Sequence, residues 1–374
     1  MLTTLRFKNR CILTIFTVAI FILFSPAAKS ESIVTGGKTG TYYAIGANLR
    51  DIVSPTLEVK DSKGSWANVE EISRTKGVSL AIVQSDVYSA FVRLRDNPEN
   101  SATTRQEYGK LLANLRVFMP LYKEEIHFLV RKDDPIEFIH QIRGKQIWMD
   151  MEKSGTYLTA LNIYSKLFQE RPNIVEPFIN TTASGEDEGT KRRRSALMAL
   201  SNPSYYQSYP RIDVMVLVGG QPLNLLEKAI PANLKLLKFD AAQPRSEKVL
   251  QEYQKADIKK ASYPLLNIVG NELPSLAVDS YMITANFADP QRNQFIRDFA
   301  DKFCEKIGVL RDQGHNKWKT LNWQPGSPLP TLAAGWQYSD KVKERLATCR
   351  ISSSGAARAA TCSPQDNFAG LCNK

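Results

Sequence analysis

Histidine is scarce in this chain: three among 374 residues, His127, His140 and His315. None belongs to an H-E-x-x-H motif and no serine sits in G-x-S-x-G, so the frames of a zinc protease and of a nucleophile-elbow hydrolase are both missing. His127 falls in an apolar strand-like run, His140 in a predicted helix and His315 near a helix end, and each reads as structural or superficial. C-x-x-C is absent too, and no two histidines are neighbours, which removes the common zinc sites. After residue 30 no apolar run is long enough to cross a bilayer as a helix. An exported hydrolase is left without a motif to support it. A binding module that needs no metal and no cofactor fits these absences better.

The first 30 residues carry Arg6, Lys8 and Arg10, a 14-residue apolar run, then Pro26 and the small-residue pattern Ala28-Lys29-Ser30. This reads as a secretory signal peptide cleaved after Ser30, the apolar run being too short to span a bilayer comfortably; an uncleaved anchor is the alternative. Cleavage would leave 344 residues, enough for two lobes, and would remove four basic residues and no acidic one, lowering the formal charge from +11 to +7. A moderately basic exported surface suits small anions or a negative membrane surface, and export argues against nucleic acid as a partner.

Cysteine is missing between positions 11 and 304, and the four that follow, Cys304, Cys349, Cys362 and Cys372, all lie in the last quarter. An even number in an exported chain suggests disulfides. Three pairings are open. The favoured one joins Cys362 to Cys372 and Cys304 to Cys349, pinning the tail to a helix.

The segment T-G-G-K-T-G-T-Y-Y-A-I-G at residues 35–46 opens the mature chain with a short strand, a glycine turn and a helix start. Glycine at positions 36, 37 and 40 permits backbone angles closed to other residues, and a helix over 42–53 points its free N–H groups and positive dipole end at the turn. Such geometry suits a small acidic ligand. Gly37-Lys38-Thr39 copies the end of a P-loop, but Ser32 stands where the first P-loop glycine belongs, and G-x-G-x-x-G cannot be laid over these glycines.

Further along, Ser65 is placed to cap a helix whose third position, Asn68, either supports that cap or faces a ligand. A strand over 80–83 ends at Gln84 and Ser85, the carboxyl end where ligands meet open α/β sheets. A strand-like run at 126–130 is followed by a predicted helix from Pro135 to about Gly144 and a strand at 146–149. Ser154-Gly155-Thr156 then opens a long helix marked by Leu158, Leu161, Tyr164, Leu167 and Phe168 at helical spacing. The strand, polar loop and helix design thus occurs twice, and two such loops facing each other would clamp a small anion. Residues 180–201, with Lys191-Arg192-Arg193-Arg194, read as a solvated loop or mobile insertion, with contact to a ligand or membrane lipid as the lesser alternative. Strands are expected at 213–218 and 276–283, the second returning to the first lobe. A helix from Pro290 carries Phe295, Phe299 and Phe303 as a packing stripe. The tail after Ile351 reads as flexible unless its cysteines hold it.

Together these pieces resemble the TAXI family of TRAP transporter solute receptors, which have the type II periplasmic binding protein fold. The resemblance rests on residues 35–46, on S-K-G-S-W-A-N at 62–68 and on A-I-V-Q-S-D-V at 81–87, with weaker support from L-Y-K-E-E-I-H at 121–127, Ser154-Gly155-Thr156 and Asp213 with Gly220-x-Pro222. It covers most of the mature chain, and it is the order and spacing of the motifs that carry it. Glu152 and Lys153 depart from the small residues usual before Ser154, and the charged run and cysteine-bearing tail are additions.

The resemblance implies a two-lobed α/β receptor with a ligand cleft between the lobes. Residues 31–130 and 277–374 would form lobe 1, residues 131–276 lobe 2, hinged near Val130 and Leu276. Such a protein would work in the periplasm, capturing a small anionic or zwitterionic solute (a dicarboxylate, oxo acid or amino acid) and delivering it to an integral membrane TRAP permease. Service to a membrane sensor is the alternative. The implied ligand neighbours are Gly37, Thr39, Gly40, Thr41, Tyr42, Tyr43, Ser65, Asn68, Gln84, Ser85, Tyr122, Ser154, Gly155 and Thr156. Backbone N–H groups of Gly40, Thr41 and Thr156 and the hydroxyls of Ser65 and Ser154 would hold a carboxylate, with Tyr42 and Tyr43 covering it.

Overall fold

The computed structural model describes residues 30–350 except 177–186, 203, 205–210, 230–231 and 267. The expected signal peptide, Cys362 and Cys372 lie outside the described residues. Among the described residues the first elements are β1 (Ser32–Val34), α1 (Thr41–Asn48, continued by a π turn at Leu49–Val53), β2 (Glu58–Lys60), α2 (Ser65–Arg74) and β3 (Val78–Gln84). β1 pairs in parallel with both β2 and β3. All seven residues of β3 are buried, which is why this strand reads as a continuous apolar run: helices cover both of its faces.

After α3 (Asp86–Asp96) and α4 (Ala102–Asn114) comes β4 (Leu115–Arg131), a strand of 17 residues and so roughly 55 Å long. The chain continues through β5 (Gln146–Trp148), α5 (Gly155–Phe168), β6 (Asn173–Ile174), α6 (Glu188–Ser201), β7 (Val214–Gly219) and α7 (Asn224–Ala229). Then follow β8 (Leu234–Leu236), α8 (Ser246–Leu250), β9 (Gln254–Lys259), β10 (Glu272–Ala285), α9 (Pro290–Gln313) and α10 (Asp340–Thr348).

One sheet runs through the molecule in the order β2-β1-β3-β10-β4-β7-β5-β6, with β8 on β4 and β9 on β10. Its two long antiparallel strands change partners along their length. β10 meets β9 through residues 272–277 and β3 through 280–283, while β4 meets β10 up to Ile126 and β7 from Glu125 to Leu129. Each long strand therefore belongs to both halves of the protein.

Side-chain alternation divides the core of each half into two layers. In the first half Leu80 and Ile82 of β3 face Phe118, Phe299, Phe303 and Trp318, whereas Ala81 and Val83 face Phe91, Tyr281 and Trp336. In the second half Val214 and Val216 of β7 join Phe128, Ile163 and Tyr164, and Met215 and Leu217 join Trp148, Leu200 and Tyr263. The expected phenylalanine stripe lies on α9: Phe299 and Phe303 are fully buried edge-on to Phe118, while Phe295 packs against the same layer from a half-buried position. Asp289 caps this helix by accepting from Gln291 N, and Pro290 occupies its first turn. A disulfide joins Cys304 on α9 to Cys349 just after α10, Cα to Cα 5.4 Å, as the favoured pairing expects.

Two local expectations are corrected. Between Pro135 and Gly144 only a three-residue 3-10 turn forms, Ile139–Gln141. Asp134 Oδ1 accepts from Ile136 N, Gln141 Oε1 accepts from both Glu137 N and Phe138 N, and Ile139 N donates to Lys238 O, so the backbone is bonded outward before a helix can start. The charged stretch at 180–201 is no solvated loop from residue 188 on. It is α6, capped by Asp187 through Thr190 N and buried through Ala196, Leu197 and Leu200.

Candidate functional site

Helices α1, α2 and α5 begin at the seam between the halves. In the first half the glycine turn closes with Gly40 N donating to Gly37 O at 2.8 Å, and Gly40 is the N-cap of α1. α2 starts at Ser65 with Gly64 as its cap, at a φ of +116° that favours glycine. Ser65 is thus the first helical residue and not the cap: its Oγ accepts from Gln84 N at 3.0 Å and donates to Gln84 Oε1 at 3.2 Å, fastening α2 to the end of β3.

From the second half α5 arrives, capped by Ser154, whose Oγ accepts from Tyr157 N at 3.0 Å. Its first residue, Gly155, touches the other half so closely that an added Cβ would lie 1.6 Å from Gln84 Oε1 and 2.8 Å from Ser65 Oγ. Thr39 Oγ1 and Thr190 Oγ1 meet at 2.6 Å, Lys153 Nζ reaches Glu70 at 3.1 Å, and Asn224 Nδ2 donates to Thr39 O at 3.4 Å. Thr39, Thr190 and Asn224, with Ser65, Gln84 and Gly155, line a cavity of about 770 Å³ between the halves.

Of the fourteen residues named from sequence, Gly37, Thr39, Gly40, Thr41, Tyr42, Ser65, Gln84, Ser154, Gly155 and Thr156 line this cavity. Tyr43, Asn68, Ser85 and Tyr122 do not. Asn68 is the fourth residue of α2, not the third, and is fully buried. Its Nδ2 donates to Thr35 O and to Ile82 O, so it staples β1 to β3. Ser85 N donates to Asp279 O and its carbonyl accepts from Trp336 Nε1. Tyr122 is buried in the first-half core, with its hydroxyl unpartnered among the described residues.

The expected carboxylate holders are also partly spent. Gly40 N–H is bonded within the turn, and the Ser65 and Ser154 hydroxyls serve Gln84 and a helix cap. What remains at the lining is the first-turn N–H groups of Thr41, Tyr42, Gly155 and Thr156, which have no carbonyl four residues earlier in their helices.

Sequence reasoning missed several lining residues. Arg193 of α6 enters the cavity wall, pairing its Nη1 with the buried Asp150 carboxylate at 3.1 Å and standing 3.3 Å from where a Gly37 Cβ would be. Lys38, Lys63 and Arg194 add positive charge at the lining. The signal for Arg193 was present in the Ala196, Leu197 and Leu200 spacing, which marks a helix through the basic run.

The floor holds Glu124, 4 % exposed, whose Oε2 accepts from Tyr42 OH at 3.1 Å. Burial pushes its pKa up to about 8, against the opposing pull of the Tyr42 bond and the Lys317 charge. Burial and the neighbouring Glu124 likewise raise Tyr42 well above its ordinary value. His315, also at the lining, is lowered by burial and by the Lys317 charge. His127 lies elsewhere, held by Glu125 O at 3.0 Å and Tyr263 OH at 2.9 Å in the sheet. Among the described residues no group of three or more His, Cys, Asp or Glu side chains could hold a metal ion.

With this geometry in view, the sequence matches the NMT1-like family over residues 33–292. The chain belongs to the NMT1-like family. Solved structures similar to it include the periplasmic binding protein BugD, at 10 % identity with a TM-score of 0.43, covering 77 % of this chain and 84 % of that one. Another is a putative sulfonate-binding protein, SsuA of Methylobacillus flagellatus KT, at 9 % identity and a TM-score of 0.35, covering 76 % of this chain and 69 % of that one. A third is the OxyR regulatory domain of Pseudomonas aeruginosa, at 13 % identity and a TM-score of 0.35, covering 74 % and 98 %. The architecture of this NMT1-like protein is α/β, one sheet shared by two halves, with the cavity between them. No helix among the described residues is long and apolar enough to cross a membrane.

Proposed function

We propose that this NMT1-like protein is an extracytoplasmic solute receptor of the TAXI type, which captures a small organic acid or amino acid in the periplasm and delivers it to a TRAP permease. The observation that carries the reading is the convergence of α1 from one half and α5 from the other, N-terminus first, on a single cavity whose wall also holds Arg193. Helix N-termini and a guanidinium favour an anion, and about 770 Å³ is the scale of a small-molecule site. The ten lining residues expected from the sequence, joined by Arg193, are the proposed ligand neighbours.

In this reading residues 31–130 and 277–374 form one lobe and residues 131–276 the other. β4 and β10 are the hinge strands, and closure around the solute makes the surface that the permease reads. The test is a thermal-shift screen of residues 31–374 against dicarboxylates, oxo acids and amino acids, followed by calorimetric titration of any hit. At a hundred times its dissociation constant a true ligand adds about 2.7 kcal/mol, a shift of several degrees. If no compound shifts the transition, and native mass spectrometry finds no small molecule retained by the purified protein, the receptor reading fails.

A further inference from the structure

A second polar cluster joins the halves away from the cavity. Asp86, at the start of α3 and 2 % exposed, accepts on Oδ2 from Thr159 Oγ1 at 2.6 Å and from Tyr253 OH at 2.8 Å, both in the other half. Its Oδ1 is buried with no hydrogen-bond partner among the described residues. The exchange is reciprocal: Glu252, beside Tyr253, accepts from Ser89 of α3 and lies 3.7 Å from Arg93 Nη1 of the same helix. Asn162 of α5 donates to both Glu252 Oε2 and Tyr253 OH, and Lys166 reaches Glu252 at 3.1 Å. None of these residues lines the cavity.

We propose that Asp86 and Glu252, with Thr159, Asn162 and Tyr253, form a proton-sensitive latch between the halves that favours the closed arrangement in mild acid. The proposal rests on the reading that the halves open and close around a solute. The two carboxyls are not equivalent. Glu252 is compensated: burial would raise it, but its bonds from Ser89 and Asn162 and the charges of Arg93 and Lys166 outweigh that and hold it below its ordinary value. Asp86 is less so: among the described residues no salt bridge reaches it, the Arg93 charge lowers it only from a distance, and one oxygen is orphaned. Burial raises it to about 6, the Thr159 and Tyr253 hydroxyls oppose this, and the negative charge of Glu252 adds to it. Glu124 faces the same region from β4 and Arg93 from α3 itself.

The sign follows from linkage. If opening returns Asp86 to water and to an ordinary carboxyl pKa, the closed arrangement holds the proton more tightly, so acidification through pH 6 favours closure. A proton on Asp86 also removes the repulsion by Glu252.

The experiment measures the distance between labels at exposed Lys110 on α4 and Lys248 on α8, in protein with no added solute, from pH 7.5 to pH 5. The ratio of closed to open molecules is expected to rise about tenfold over that range. Asp86→Asn keeps an acceptor for both hydroxyls without the charge and is expected to show the same ratio at both pH values. Thr159→Val removes one bond that favours the carboxylate and is expected to move the response to higher pH. A wild-type distance that ignores pH, or an Asp86→Asn protein that responds like wild type, overturns the latch. Because no solute is present, a failed solute screen leaves this outcome untouched, and a successful screen without a pH response removes the latch alone.

Discussion

Tyr42 and Glu124 face each other on the cavity floor, phenol oxygen to carboxyl oxygen 3.1 Å, with the carboxyl almost wholly out of water. A carboxyl raised to about 8 in the folded chain and titrating normally when unfolded binds its proton more tightly when folded. Its contribution to stability is therefore fully present below the unfolded value and lost as pH rises through about 8. Glu124→Gln removes that dependence. Between pH 5 and 9 the wild type is expected to lose stability, on the order of a few kcal/mol, that the variant retains. Melting temperatures of the two proteins across this range check it, and parallel curves would refute it.

Arg193 and Asp150 make a different kind of pair. Asp150 is 4 % exposed, so Arg193→Ala leaves a carboxylate buried without its cation and is expected to cost about 2–3 kcal/mol of stability, discounted because the arginine side chain is 24 % exposed. Adding Asp150→Asn should recover most of the stability but none of the affinity for an anionic solute. Urea unfolding beside calorimetric titration of the single and double variants separates the two roles. Equal recovery of both would mean that Arg193 is structural only.

How far the site was legible depends on where each side chain finds its partner. The loops at Gly40 and Ser154 could be read because turn glycines, a capping serine and the apolar periodicity after them are local signals. Asn68 could not be placed, since the carbonyls that satisfy it belong to Thr35 and Ile82, residues brought near only by the sheet. Ser65 was assigned to a cap for the same reason: its partner is Gln84, at the end of a different strand. Arg193 was hidden twice, by neighbours of like charge and by a counter-ion 43 positions away. The helix expected from Pro135 failed because the side chains of Asp134 and Gln141 outcompete helical bonding.

The disulfide between Cys304 and Cys349 closes a loop of 45 residues. Chain-entropy reasoning assigns such a crosslink about 4 kcal/mol. Neither cysteine lines the cavity, so reduction should lower the urea midpoint and leave solute affinity in native conditions unchanged. Unfolding and titration with and without reductant measure both, and a loss of affinity on reduction would show that α9 and α10 are coupled to the cavity.

Gly155 packs directly against the other half, with no room for a side chain. A methyl group there would fall 1.6 Å from Gln84 Oε1 and 2.8 Å from Ser65 Oγ, inside any permitted contact. Gln84 Oε1 cannot retreat freely, because the same amide oxygen accepts from Ser65 and the Gln84 side chain is buried. Alanine is also an acceptable first residue for α5, so the helix itself is not weakened by the change. Gly155→Ala should therefore leave the second half as stable as before, while keeping the halves apart. The expected result is an unchanged melting temperature, a larger radius of gyration in solution scattering and solute affinity weakened by tenfold or more. A variant that stays as compact as wild type and binds as tightly would show that the contact between α2 and α5 is not what closes the cleft.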